Sequence, residues 1–238
     1  MKALIDLHTH TISSGHAYST LKENIEGAKE NGLKVMGLSD HAVTMPGTAH
    51  PFYFSNLKVI KDEIMGIRVL KGIEANILDY EGKIDVDEEL ASELDYIIAS
   101  LHNPCINPGT MEENTNALIS VMKNPHVKII GHPDDSRYAI DYKRLALAAK
   151  ENNVAIEVNN SSLRPNSFRQ NARENYIELL RLCKEYGTKI MLGSDAHMYY
   201  DVGNFENCYK LLEEVNFPDE LVLNYSLDSL NYILNKRK

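Results

Sequence analysis

Apolar residues along the chain follow two rhythms that take turns. Short runs rich in Val, Ile, Leu and Ala lie at Ala3–Leu7, Val35–Leu38, Arg68–Ile73, Tyr96–Ser100, Val127–Ile130, Val154–Val158 and Lys189–Leu192, which predicts seven buried strands. Between them apolar residues return at intervals of three and four, as in TLKENIEGAKENG, where Leu21, Ile25 and Ala28 share one helical face. Thr20 with Glu23 makes a capping-box pattern at its start, and Gly32 a stop at its end. The same spacing predicts helices over residues 55–64, 113–124, 141–153, 174–187, 206–215 and 226–236. Strands alternating with helices indicate repeated βα units around a parallel sheet. The expected architecture is an α/β barrel, or failing that an open doubly wound sheet. No linker or low-complexity segment interrupts residues 1–238, so the chain reads as a single domain.

Composition narrows the class without naming it. With 43% hydrophobic and 25% charged residues, 238 residues suffice to bury one large core. A net charge of −9 argues against a general polyanion-binding surface, and no evident basic, aromatic-lined track stands out. No apolar run is long enough to span a bilayer, and MKALIDLHTH turns polar too early for a secretory signal, so the expected location is the cytoplasm with no membrane partner. Cys105, Cys183 and Cys208 are odd in number and form no C-x-x-C, which points to free thiols. Nothing in the pattern specifies an oligomer. No G-x-G-x-x-G follows the first strand, so dinucleotide binding has no support.

The chemistry gathers at the C-terminal ends of the strands, where barrels and open α/β sheets keep their active sites. The first strand delivers His8 and His10, which a strand's period of two points the same way, with His16 in the following loop. VMGLSDH delivers Asp40 and His41, VLKGIEAN Glu74, YIIASLHNP His102, VKIIGHPDD His132 and IMLGSDAH Asp195 and His197. VAIEVNNSS is the exception and ends in Asn and Ser. Only His50 and His126 lie outside this pattern. Any one of these residues has an ordinary explanation, a structural His before Pro133 or a capping Asp195. Seven imidazoles and two carboxylates converging on one rim instead predict a multinuclear metal site. Asp40 is expected to orient a neighbouring imidazole rather than to bind.

DLHTHT, SDH, GIEAN, SLHNP, GHP and GSDAH resemble the polymerase and histidinol phosphatase (PHP) superfamily, in order over nearly the whole chain. HAYSTL, KGIEAN and EVNNSS bring it nearest to the stand-alone bacterial phosphatases of the YcdX type. The resemblance implies a distorted (β/α)7 barrel and three divalent ions, usually Zn2+, with Mn2+ or Fe2+ as alternatives. It assigns His8, His10, Glu74 and Asp195 to one ion. Glu74 would bridge to a second ion held by His102 and His132, and His16, His41 and His197 would hold the third.

Such a site would attract anions, and phosphate esters suit it. The expected reaction is phosphomonoester hydrolysis by metal-bound hydroxide at a trinuclear site, with Glu74 at its centre and Asp195 or a neighbouring histidine such as His197 handling protons. The expected substrate is a small phosphorylated molecule. Asn103, Asn159 and Asn160 fall at the rim as candidate substrate contacts, followed by Arg164, a candidate phosphate fork that competes with its ordinary reading as a solvated loop cation. A 3'-5' exonuclease or phosphodiesterase on nucleic-acid ends uses the same chemistry and is the alternative. A catalytically silent metal-binding module is the other.

Overall fold

The computed structural model describes residues 1–234, so the last two positions of the helix expected over 226–236 lie outside the described residues. The strands are β1 (Ile5–Asp6), β2 (Val35–Leu38), β3 (Glu63–Ile64), β4 (Ile67–Asn76), β5 (Tyr96–Ser100), β6 (Val127–Ile130), β7 (Ala155–Asn159) and β8 (Ile190–Gly193). Seven of them pair in parallel in the order β1-β2-β4-β5-β6-β7-β8, while β3 pairs with β4 antiparallel. The helices are α1 (Leu21–Glu30), α2 (Pro51–Ser55), α3 (Glu88–Glu93), α4 (Met111–Val121), α5 (Tyr142–Asn152), α6 (Ala172–Tyr186), α7 (Glu206–Glu214) and α8 (Leu230–Leu234). The result is a nearly closed α/β barrel of seven parallel strands, in keeping with the (β/α)7 expectation.

Two segments differ from expectation. The helix expected over 55–64 does not form. Pro51 starts α2 earlier, with His50 as its N-cap, and Glu63 and Ile64 are drawn into a hairpin with β4. Its two-residue loop needs positive φ at Met65 (55°) and Gly66 (81°), the geometry that suits the strand twist. The short helix α3, capped by Asp87, was not expected.

The edges β1 and β8 meet without a regular ladder. At the top, Asp195 N–H donates to His8 O and His10 N–H to Ala196 O, both at 2.9 Å. Lower down Asn224 stands in for a strand. Its Nδ2 donates to Ile5 O and to Leu192 O at 2.8 Å each, and its Oδ1 accepts from Leu192 N–H at 2.7 Å.

The lower barrel is filled by Ile5, Leu7, Leu70, Tyr96, Ile98 and Met191, with Leu230 and Ile233 of α8 packing on them. Each such side chain contributes about 1.5–3 kcal/mol by leaving water. Tyr96 lies across the interior and donates to Leu7 O at 2.6 Å, which Gly72 permits, since a Cβ there would fall 2.3 Å from the ring. Above this apolar floor the inward positions become polar, and the ligand candidates begin.

Candidate metal centre

The period of two along β4 points Leu70, Gly72 and Glu74 to the same side, which lifts the Glu74 carboxylate from the apolar floor into the top layer. There it is fully buried, as is His10, with His8, His41, His132 and Asp195 under a tenth exposed. His132 and Asp195 have φ of 27° and 52°, a region that non-glycine residues enter at a cost of about 1–3 kcal/mol. The surroundings hold both: Glu157 Oε2 accepts the His132 N–H at 2.7 Å, and Asp195 N–H is bonded to His8 O at 2.9 Å.

Distances among the donor atoms test whether ions fit. Among His8 Nε2, His10 Nε2, Glu74 Oε2 and Asp195 Oδ1, the measured separations are 3.1, 3.4, 3.7, 3.5 and 3.2 Å. Four donors at the corners of a tetrahedron with metal bonds of about 2.0–2.1 Å stand roughly 3.3 Å apart. The other oxygen of Glu74, Oε1, lies 3.2 Å from His102 Nε2 and 2.8 Å from His132 Nε2. One carboxylate therefore faces two donor groups. Glu74 Oε2 and His41 Nδ1 are 2.8 Å apart, buried, and neither makes a hydrogen bond, as suits atoms aimed at a cation. His10, His41 and His197 form a further close donor group. The exposed His16 joins it through ring contacts of 5.0 Å to His41 and 4.8 Å to His197. His50 and His126 stand apart, the first capping α2 and the second bonded to Glu88 at 3.0 Å.

Behind the imidazoles, hydrogen bonds fix which nitrogen faces inward. His8 Nδ1 meets Glu157 Oε1 at 2.5 Å. His10 Nδ1 donates to Ser14 Oγ at 2.9 Å, and that hydroxyl donates to Asp40 Oδ1 at 2.7 Å. His102 Nδ1 donates to Asn76 Oδ1 at 2.7 Å, and the Asn76 amide donates to Asp85 at 2.6 Å. These contacts turn each Nε2 toward the centre, and on His10 and His102 they leave it with its lone pair there. Asp40 thus orients an imidazole as expected, but through Ser14. Glu157, on the strand that seemed to deliver no ligand, went unnoticed in the sequence; an acidic residue inside an apolar run was the available signal.

The electrostatics favour ligation. Burial opposes charge on Glu74 and Asp195, but the imidazoles around them outweigh it and hold both well below the usual carboxylate range. Burial lowers His10 and His16, and brings His102 down to about 4, so these rings are neutral at neutral pH. His8 differs: burial opposes its charge, yet Glu157, Glu74 and Asp195 together raise it well above 6.5.

The PHP domain profile matches residues 6–161, more than half of the chain. The chain belongs to the PHP domain family. Among curated PHP relatives, a protein named probable phosphatase from Clostridium novyi is 45% identical over 239 residues, covering 100% of this chain and 97% of the relative. Another probable phosphatase, from Caldicellulosiruptor saccharolyticus, is 48% identical over 225 residues, covering 94% and 93%. Histidinol phosphate phosphatase from Lactococcus lactis, solved with zinc, L-histidinol and phosphate, shares the fold with a TM-score of 0.62 at 17% identity, over 92% of this chain and 95% of that one.

The PHP donor cluster opens into a cleft of about 770 Å3. Asn103 lines it. Arg164 also lines it and pairs with Asp201 at 2.7 Å. Asn159 sits below the rim, fully buried, with Nδ2 3.1 Å from Asp195 Oδ2 and Oδ1 accepting from Ser162 N–H at 3.0 Å. Asn160 is buried too, its Oδ1 accepting from Asn207 N–H at 2.9 Å. Arg169 stands beside the donor cluster, its buried guanidinium donating to Ser162 at 2.6 Å and lying 3.6 Å from Asp195. Sequence reasoning passed over it, because Arg164, Arg169 and Arg173 stand close together along the chain and only the fold selects one. Tyr18, Phe168 and Tyr200, from three separate stretches of the chain, also line the cleft.

Proposed function

We propose that this chain is a metal-dependent phosphomonoesterase of the YcdX type with three divalent ions, zinc by preference for its imidazole-rich donors. The observation that carries the reading is Glu74, whose two oxygens face separate donor groups at the floor of an open cleft. His8, His10, Glu74 and Asp195 would hold one ion, Glu74 with His102 and His132 the second, and His16, His41 and His197 the third. When bound, such ions neutralise phosphoryl oxygens, acidify water and stabilise the leaving alkoxide. Arg169, fixed beside Asp195 by Ser162, would fork onto the phosphoryl oxygens. Asp195, held by Asn159, or the more exposed His197 beside it would handle protons. Asn103 and Arg164 would meet the rest of a small substrate.

The nuclease alternative calls for a run of unpaired cations leading from the centre. Arg137 and Arg164 are instead tied to Asp135 and Asp201. The silent-module alternative has no use for a cleft beside the ligands. The test measures phosphate release from a panel of monoesters by zinc-replete protein, beside nucleotide release from single-stranded DNA. Monoester turnover that falls at least 100-fold in Glu74→Ala is the expected result, on the order of the loss when a group stabilising transition-state charge is removed. Turnover of DNA alone, or of nothing, would overturn the reading.

A further inference from the structure

Resting on that reading, the cleft above the ligands points to a class of organic group. A volume of about 770 Å3 is far more than a phosphoryl group fills, and lies within the roughly 300–1,000 Å3 of sites that enclose a whole drug-sized ligand. Its walls carry exposed aromatic rings: Tyr18 is 75% exposed, Phe168 73% and Tyr200 60%. Three large rings left in water around one opening mark a binding surface. The guanidinium carbons of Arg137 and Arg169 stand 5.3 and 5.5 Å from the Phe168 centroid. Tyr200 is braced edge-on by Tyr199 at 5.5 Å.

The polar groups of the rim point the same way. A polyhydroxylated ligand needs carboxylates and amides free to bind its hydroxyls, whereas Asp135 and Asp201 are engaged by Arg137 and Arg164. Because those pairs also neutralise the arginines, no line of charge invites a polymer.

We propose that the preferred substrate is a phosphomonoester whose organic part bears a planar aromatic ring of nucleoside size, stacked among Tyr18, Phe168 and Tyr200 while its phosphate reaches the ligands. Adenosine 5'-monophosphate and ribose 5-phosphate test this cleanly, since both lose the same primary alkoxide and differ only in the base. The zinc-replete enzyme should show kcat/KM about tenfold or more higher for the nucleotide, as one stacked base supplies. The ratio should fall toward one when the three rings are replaced together (Tyr18→Ala, Phe168→Ala, Tyr200→Ala). Equal values in the wild type, or a ratio that survives the triple variant, would overturn the proposal. A second readout needs no turnover: 2-aminopurine riboside, which lacks phosphate, should be quenched by the wild type and not by the triple variant. Absence of quenching overturns the stacking site, whereas quenching without hydrolysis of either ester leaves it standing and removes the phosphatase reading instead.

Discussion

Glu157 acts on two ligands at once, gripping the His8 ring with one oxygen and the His132 backbone with the other. Gly193 makes room for it, since a Cβ there would stand 1.8 Å from its Oε1. Glu157→Gln keeps the shape and removes the charge. It should weaken zinc binding to the metal-free protein by about 10–100-fold in competition with a chromophoric chelator, with the far-ultraviolet circular dichroism spectrum unchanged. An unaltered affinity would reduce the contact to packing. His8 supplies a prediction in pH. Its pKa is raised by the three carboxylates, so the metal-free ring is protonated at pH 7 and must lose that proton to bind, and zinc affinity therefore rises with pH. Calorimetric heats at pH 7 should vary with the ionisation enthalpy of the buffer, and buffer-independent heats would contradict this. The donor residues were legible in the sequence because each follows an apolar run that ends at the same rim. Glu157 and Arg169 were not, because a residue's partners across the barrel leave no spacing to read. Asn159 seemed a rim residue for the same reason, although the fold turns its amide inward to Asp195.

At the scale of elements, six helices and all seven parallel strands followed from periodicity, with β2, β5 and β6 at the expected residues. The hairpin of β3 and β4 did not, since Leu57, Ile60 and Ile64 also carry helical spacing and the choice rests on Met65 adopting a left-handed conformation. Closure between β1 and β8 was equally hidden, because below two backbone bonds it is made by a side chain from beyond the last strand. Asn224→Ala would leave the Leu192 N–H and the Ile5 and Leu192 carbonyls without that partner inside the barrel. At about 1–3 kcal/mol for each buried group left unsatisfied, a loss of about 3 kcal/mol or more is expected in urea unfolding. A loss below about 1 kcal/mol would show that the edges close without it.

At the scale of the molecule, a surface of net charge −9 surrounds a cluster of donors that could hold cations, and the two are compatible because the charge relevant to a phosphate would be set inside the cleft. The apolar lower barrel and the polar upper layer divide the labour, one holding the strands and the other the donors. Seven strand ends could be foreseen as one platform, but the cleft above it comes from loops whose meeting only the closed barrel determines. Stepwise addition of zinc to metal-free protein, with bound metal and phosphate release from a monoester followed together, tests the central claim most directly. Uptake of three ions per chain is expected, with hydrolysis appearing as they fill the site. Saturation at a single ion, or phosphate release at full rate with none bound, would contradict it.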